Sequence, residues 1–267
     1  MKDAPRSISH TATTRRVLEL LEDVLARAAA NAPTIADVGC GRGHFSAQAL
    51  DELRRRGAPH PTERVVPVDL FPQYFEVSEL TCRPIGPGGR LPIADAAVDA
   101  AVSIEVIEHV EDQFAFLREL ARITKPGGTV IVTTPNVHNV ASRLRALWTG
   151  FPQLYDPLPL ARTDPRFLGG HIHPIHPYFL CYGAHRAGLE VLGLVVDRRK
   201  TTAALGAALL APVGALVRFL HRSRLLRKHP DVFRENERWL ADVSSWDLAT
   251  GRSAILVARV PAVNSRA

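Results

Sequence analysis

The feature that most constrains this chain is the run Ile35-Ala36-Asp37-Val38-Gly39-Cys40-Gly41-Arg42-Gly43. A short apolar segment stops at glycines spaced G-x-G-x-G, and helical periodicity resumes just beyond them. Glycine is needed where a backbone must turn sharply and approach another group without a Cβ in the way. The helix that follows offers free N–H groups and a partial positive charge, which suits a carboxylate or a phosphate. Asp69 closes the next apolar run, where an acid can accept two hydrogen bonds from a ribose diol. Taken alone, the turn is also compatible with a tight strand–helix connection that holds no ligand.

The rest of the chain repeats the same alternation. Helical spacing is read over residues 14–30, 43–56 and 112–123, and strands over 34–38, 64–68, 98–103, 129–134, 189–196 and 254–260. Lys125-Pro126-Gly127-Gly128 reads as a turn. Strands alternating with helices of this length predict a parallel sheet covered on both faces, within one domain over residues 1–267. Two stretches depart from the alternation. Residues 140–176 contain a Pro-, Gly- and aromatic-rich segment expected to form a lid, and residues 200–250 are expected to be a helical insertion over the active site.

Composition narrows the classes further. The chain has 267 residues, 46% hydrophobic and 22% charged, which excludes a disordered or fibrous protein. Its three cysteines, Cys40, Cys82 and Cys181, form no C-x-x-C pair, so a reducing, cytoplasmic setting is expected. The polar first sixteen residues carry no apolar core of a signal peptide. The net charge of +6 is concentrated late: residues 197–228 hold eight Lys/Arg and one acid, a local +7. A nucleic-acid-coating protein would spread its basic residues over a face and interleave them with aromatics, so nucleic acid is not an expected partner.

The fragment DVGCGRG resembles the first motif of class I S-adenosylmethionine-dependent methyltransferases. The resemblance continues through Val65-Val66-Pro67-Val68-Asp69, through Leu91-Pro92-Ile93-Ala94-Asp95 with the run to Ser103, and through Lys125-Pro126-Gly127-Gly128. These ordered motifs cover residues 34–136, with weaker support to 260. The resemblance implies a Rossmann-like sandwich whose seven-stranded, mostly parallel sheet has its last strand antiparallel and helices on both faces. It also implies S-adenosylmethionine as cofactor, with Asp37, Gly39, Cys40, Gly41, Gly43, Asp69, Leu70, Ile104 and Glu105 around it. The family often carries an acid for the adenine amino group before the "LPF" segment. Residues 82–90 contain none, so no adenine ligand is assigned.

After the fourth strand comes Ile104-Glu105-Val106-Ile107-Glu108-His109-Val110. Parallel sheets place ligands at the carboxyl ends of their strands. If the segment is helical, the i, i+3, i+4 spacing puts Glu105, Glu108 and His109 on one face. Such a cluster can take a proton from a substrate hydroxyl or bind a divalent cation. His171, from Gly170-His171-Ile172-His173-Pro174-Ile175-His176, is the fourth candidate, although each of His171, His173 and His176 taken singly reads as structural, shaping the substrate pocket. The E-x-x-E-H pattern is similar to two metal-using branches of the family, one acting on polyprenyl catechols and one on the terminal ribose of small RNAs. A third reading has Glu105 hold cofactor while Glu108 and His109 cap the next helix. A divalent metal therefore stays an open option with no ligand set assigned. Thr133-Thr134-Pro135-Asn136 is expected to line the pocket.

Residues 203–217 contain fifteen positions without a charge, followed by Arg218, Arg222, Arg224, Arg227 and Lys228. Spanning a bilayer takes about 20 apolar residues, and Pro212 and Gly214 are expected to interrupt the run. Peripheral contact with the inner face of a membrane is the alternative to a helix packed on the lid. The expected activity is methyl transfer from S-adenosylmethionine to a small molecule, at oxygen, with a lipid-linked or secondary-metabolite acceptor. The alternatives are a metal-dependent RNA ribose 2′-O-methyltransferase and a non-catalytic S-adenosylmethionine-binding protein; a nicotinamide oxidoreductase fits less well, because the turn lacks the dinucleotide spacing.

Overall fold

A computed structural model describes residues 11–27, 32–158 and 170–262. Residues 28–30 of the first expected helix and 159–169 of the expected lid lie outside them. Seven strands form one sheet: β1 (Ile35–Val38), β2 (Val65–Asp69), β3 (Arg83–Pro84), β4 (Val98–Ile104), β5 (Thr124–Pro135), β6 (Glu190–Val196) and β7 (Ser253–Arg259). Their order is β3-β2-β1-β4-β5-β7-β6. Pairing is parallel from β3 through β5, while β7 runs antiparallel to both β5 and β6. The strand order therefore reverses between β1 and β4, and a ligand crevice opens at the carboxyl ends of a sheet at such a point.

Helices cover both faces because the strands are apolar on both. On one face α1 (Thr11–Leu20), α2 (Glu22–Leu25) and α3 (His44–Arg55) supply Val17, Leu25, Phe45, Leu50 and Leu53 to a core with Ile35 and Val102. On the other face α4 (Gln113–Ile123) and α6 (Pro177–Arg186) supply Leu117, Leu120 and Leu180 against Val38, Val130 and Leu256. The remaining helices are α5 (Val140–Thr149), α7 (Thr201–Lys228), α8 (Pro230–Val243) and α9 (Trp246–Thr250).

The structure differs from the sequence reading at four places. The periodic stretch at 14–30 divides at Leu21 into α1 and α2. Lys125-Pro126-Gly127-Gly128 is not a separate turn but lies inside β5, where the β4 pairing shifts register between Val98 and Ala100. Gly127 there has φ +78°, and a Cβ on Gly128 would come within 2.8 Å of the Lys125 carbonyl oxygen, so the irregularity needs glycine. The two-residue edge strand β3 was not expected, being too short and too proline-rich to carry a pattern. Pro212 and Gly214 do not interrupt α7, which runs through both. A single proline forfeits one backbone bond, and the unbroken turns on either side carry the helix across it.

Asn136, expected to line the pocket, is instead a buried latch. Its side-chain amide donates to the carbonyl oxygens of Leu248 (2.8 Å) and Gly251 (3.1 Å), tying the end of β5 to the entry of β7. Asn136→Ala leaves two buried carbonyls without a donor, at about 1–3 kcal/mol each. A loss of at least about 2 kcal/mol in denaturant unfolding is expected from the same arithmetic.

Candidate active site

The glycine turn is organised from below by an acid. Asp37, buried at the end of β1, accepts from the Ser46 hydroxyl at 2.6 Å and from the Ser46 backbone N–H. Gly43 at the N-cap of α3 brings no side chain of its own, so Asp37 caps this helix from the neighbouring strand. Burial pushes its carboxyl up to about 7, against the lowering by Ser46, and nearby Asp69 adds to the rise.

Gly39, Gly41 and Gly43 have φ of +76°, +52° and +88°. A Cβ on Gly39 would come 2.4 Å from Val106, and one on Gly43 would come 2.5 Å from Phe75. The sequence reading expected the missing Cβ atoms to make room for a ligand. At these two positions they make room for the loops that follow β4 and β2. Gly41 instead orients an acid. Its N–H donates to Asp69 Oδ2 at 2.8 Å, while the Phe71 N–H donates to Oδ1 at 2.8 Å. The carboxylate at the end of β2 is thereby fixed, with a further lone pair on each oxygen for a diol.

Around it, Leu70 is 63% exposed, an uncommon setting for a leucine beside an aligned carboxylate. The Cys40 and Cys82 sulfurs lie 3.4 Å apart at the same rim. Ile104 belongs to the core cluster with Ile35 and Phe45. A held carboxylate, an adjacent apolar side chain and a rigid glycine turn fit a nucleoside with a free ribose diol.

The acid–histidine segment does not continue as an α-helix. Glu105 has φ +55°, and Ile107–His109 forms a single 3-10 turn. The expectation of one helical face therefore fails, because the left-handed backbone at Glu105 redirects the chain. A non-glycine residue held there is strained, and such strain concentrates at functional sites. The Glu105 N–H donates to the Thr133 hydroxyl at 3.0 Å, and its carboxylate lies 3.9 Å from the Arg252 guanidinium. Burial raises the Glu105 pKa, and Arg252 opposes the rise.

The tertiary fold, not the sequence spacing, gathers the second group. Glu108, His109 and His171 bring ligand-type atoms within 4.8 Å of one another. Glu108 is fully buried, with no well-formed hydrogen bond to either carboxylate oxygen among the described residues. Burial pushes its pKa well above the carboxylate range and neighbouring Glu105 adds to this, while weaker contacts to its own amide and to Thr134 temper it. His171 lies 4.0 Å from Glu108 and packs its ring against His109 and Tyr155. His109 Nδ1 sits 3.0 Å from the Gly170 carbonyl, an acceptor, so this nitrogen carries the proton and Nε2 keeps its lone pair. Burial lowers the pKa of both imidazoles and keeps them neutral at neutral pH.

The other lid histidines are placed elsewhere. His173 Nδ1 bonds the Val110 carbonyl at 3.1 Å, and His176 caps α6 and meets His138 at 2.7 Å. Tyr155 and Arg252 join the site without having been singled out. Tyr155 is buried, and Glu108 helps burial to push its hydroxyl above its usual pKa. Neither residue carries a spacing signal, since each reaches the cluster across the fold.

A family model described as a methyltransferase domain matches residues 11–194. A Xanthomonas campestris protein named ubiquinone biosynthesis O-methyltransferase is 33% identical over 125 residues, 43% of this chain and 48% of that protein. A malonyl-[acyl-carrier protein] O-methyltransferase from Serratia marcescens is 34% identical over 104 residues, 38% of this chain and 37% of that protein. The chain thus spans about half or less of the length of these curated relatives. The solved structure of a SAM-dependent methyltransferase from Archaeoglobus fulgidus agrees in fold, with a TM-score of 0.51 over 92% of this chain and 94% of that one, at 14% identity. The chain belongs to the methyltransferase-domain family, the class I fold whose cofactor is S-adenosylmethionine.

Glu108 makes the site's stability depend on pH. Its folded pKa lies above the unfolded one, so its favourable contribution is complete at acid pH and is lost as pH rises through the folded value. Glu108→Gln is therefore expected to match the parent at acid pH and to exceed it in stability by a growing margin as pH rises. Denaturant unfolding across a pH series reads the difference.

Proposed function

We propose that this chain transfers a methyl group from S-adenosylmethionine to an oxygen of a small-molecule acceptor, a lipid-linked or secondary-metabolite alcohol or phenol. The observation that carries the reading is His109, a half-buried neutral imidazole whose Nδ1–H is committed to Gly170 and whose Nε2 keeps a free lone pair. The residues suited to hold the cofactor are Asp69 for the ribose diol, Leu70 against the base, the glycine turn with Asp37 beneath it, and Glu105. When bound, S-adenosylmethionine supplies a sulfonium methyl group open to in-line displacement.

The chain's own part is alignment and proton handling. An acceptor hydroxyl must lose its proton as its oxygen becomes nucleophilic, and in this reading His109 Nε2 takes it. Burial disfavours the charged forms of Glu108 and Tyr155, which offer polar contacts to the acceptor. Most of the acceleration comes from holding oxygen, methyl and sulfur in line. The names of the Xanthomonas and Serratia relatives, both O-methyltransferases, support oxygen as the methylated atom.

One observation supports a second reading. Two imidazoles and one carboxylate within 4.8 Å form a donor set suited to a borderline cation such as Zn²⁺ or Mn²⁺ more than to Mg²⁺. A cation there could lower the pKa of an acceptor hydroxyl in place of the base. Activity abolished by a chelator and restored by one of these ions would assign the trio to metal, and a mobility shift with RNA would turn the acceptor toward ribose.

Extracts incubated with methyl-labelled S-adenosylmethionine and the purified chain should yield a compound heavier by one methyl group. Bound cofactor with no labelled product on any acceptor would leave a non-catalytic binding protein. Asp69→Ala is expected to weaken cofactor binding roughly tenfold or more in calorimetry, since a charged hydrogen bond contributes about 1.5–3 kcal/mol. His109→Ala should lower turnover by roughly a hundredfold or more while cofactor affinity changes little. Equal turnover would remove this residue from the chemistry.

A further inference from the structure

We propose that the exposed ridge of α7, together with the exposed end of the neighbouring helix α5, docks the protein on the surface of an anionic phospholipid bilayer. Helix α7 is apolar along most of its length, yet only 11% of that stretch is covered by the rest of the protein. A core helix of this composition would be mostly buried. Leu205, Leu209, Val213, Leu216 and Leu220 follow one another at steps of three and four, so they form a single ridge on the helix. All five are exposed, Leu209 to 82%. Beneath the ridge Ala203 and Ala207 are buried, which fixes this half of the helix to the protein and turns the large side chains outward. Helix α5 packs beside it at its start, with Val140 against Gly206, and its other end carries the exposed Leu147 and the 83% exposed Trp148.

The same three-and-four progression continues from Leu220 into Arg224 and Arg227, with Lys228 at the end. None of these three cations is paired with a carboxylate among the described residues, whereas Arg222 on another side of the helix faces Glu237 at 3.5 Å and Phe233. An apolar ridge that runs into unpaired cations matches the boundary between acyl chains and phosphate headgroups, and a tryptophan is at home at that depth. Helix α7 is long and apolar enough to cross a membrane by length and composition, but a surface location fits it better: its seventeen uncharged residues, 201–217, reach about 25 Å at 1.5 Å per residue, short of the roughly 30 Å hydrocarbon core, and Ala203 and Ala207 are buried against the protein. Strand β6 runs parallel to β5, so the connection into α7 leaves from the same sheet edge as Glu105 and Asn136. Docking itself holds whichever acceptor is methylated.

Co-sedimentation of the full chain with vesicles tests this. Vesicles of phosphatidylcholine mixed with phosphatidylglycerol should carry the protein down, and phosphatidylcholine alone should carry much less. High salt should release it. The triple variant Arg224→Glu, Arg227→Glu, Lys228→Glu is expected to bind the mixed vesicles roughly a hundredfold or more weakly, at about 1 kcal/mol for each cation removed. Trp148→Ser with Leu209→Ser, at positions whose exposure leaves folding intact, should weaken binding to the same vesicles while preserving the thermal midpoint. No sedimentation with the mixed vesicles would overturn the proposal. So would equal binding to neutral ones, or both variants retaining parental affinity. A salt-resistant dimer that the Trp148/Leu209 variant disrupts would overturn it too, by assigning the ridge to a second copy of the chain.

Discussion

The site depends first on a carboxyl group buried beneath the glycine turn. Asp37 sits at the end of β1 under the glycine turn and holds the first turn of α3 through Ser46. A buried helix end needs its backbone N–H groups satisfied, and Gly43 cannot do so with a side chain. With α3 held, the turn above it is fixed, the Gly41 N–H reaches Asp69, and the carboxylate on the neighbouring strand is aligned. Two acids and three glycines thus act as one unit. The high pKa of Asp37 records the desolvation accepted in building it.

A second tension lies at the ends of β4 and β5. Glu105 adopts a left-handed backbone and Glu108 is buried without good hydrogen bonds, both unfavourable for stability taken alone. The surrounding fold tolerates them because Thr133 and Arg252 hold Glu105 and the segment after Gly170 closes over Glu108. The Ile172 and His173 N–H groups both donate to the Glu108 carbonyl, which pins the lid side of the site to the β4 side. Perturbed titratable groups packed in one crevice are the arrangement expected where proton transfer or cation binding takes place.

Much of the fold was legible in the sequence because its signals are local. The apolar run of β1, the glycines after it and the periodicity of α3 each lie within a dozen residues, and so does the Asp69 that ends β2. The bulge inside β5 was misread because Lys125-Pro126-Gly127-Gly128 has the composition of a turn, and only its pairing with β4 shows the strand continuing. The site was half legible. Glu108, His109 and His171 could be nominated from their types, but His171, His173 and His176 look alike in sequence. Their different fates follow from contacts with Glu108, with Val110 and with His138. Tyr155 and Arg252 left no trace at all.

Sequence alone determined the alternation of strands and helices, the bend after β1 and the acids that flank it, because periodicity and glycine placement act over neighbouring residues. It also determined that an uncharged run is followed by a cluster of cations. Tertiary structure decided which acids are buried and which histidine stands among them. It also decided that the apolar run is a continuous helix with its large side chains facing outward. Those outcomes depend on which distant segments pack together, and desolvation, proton affinity and exposure are properties of that packing, with no value for a residue taken one at a time.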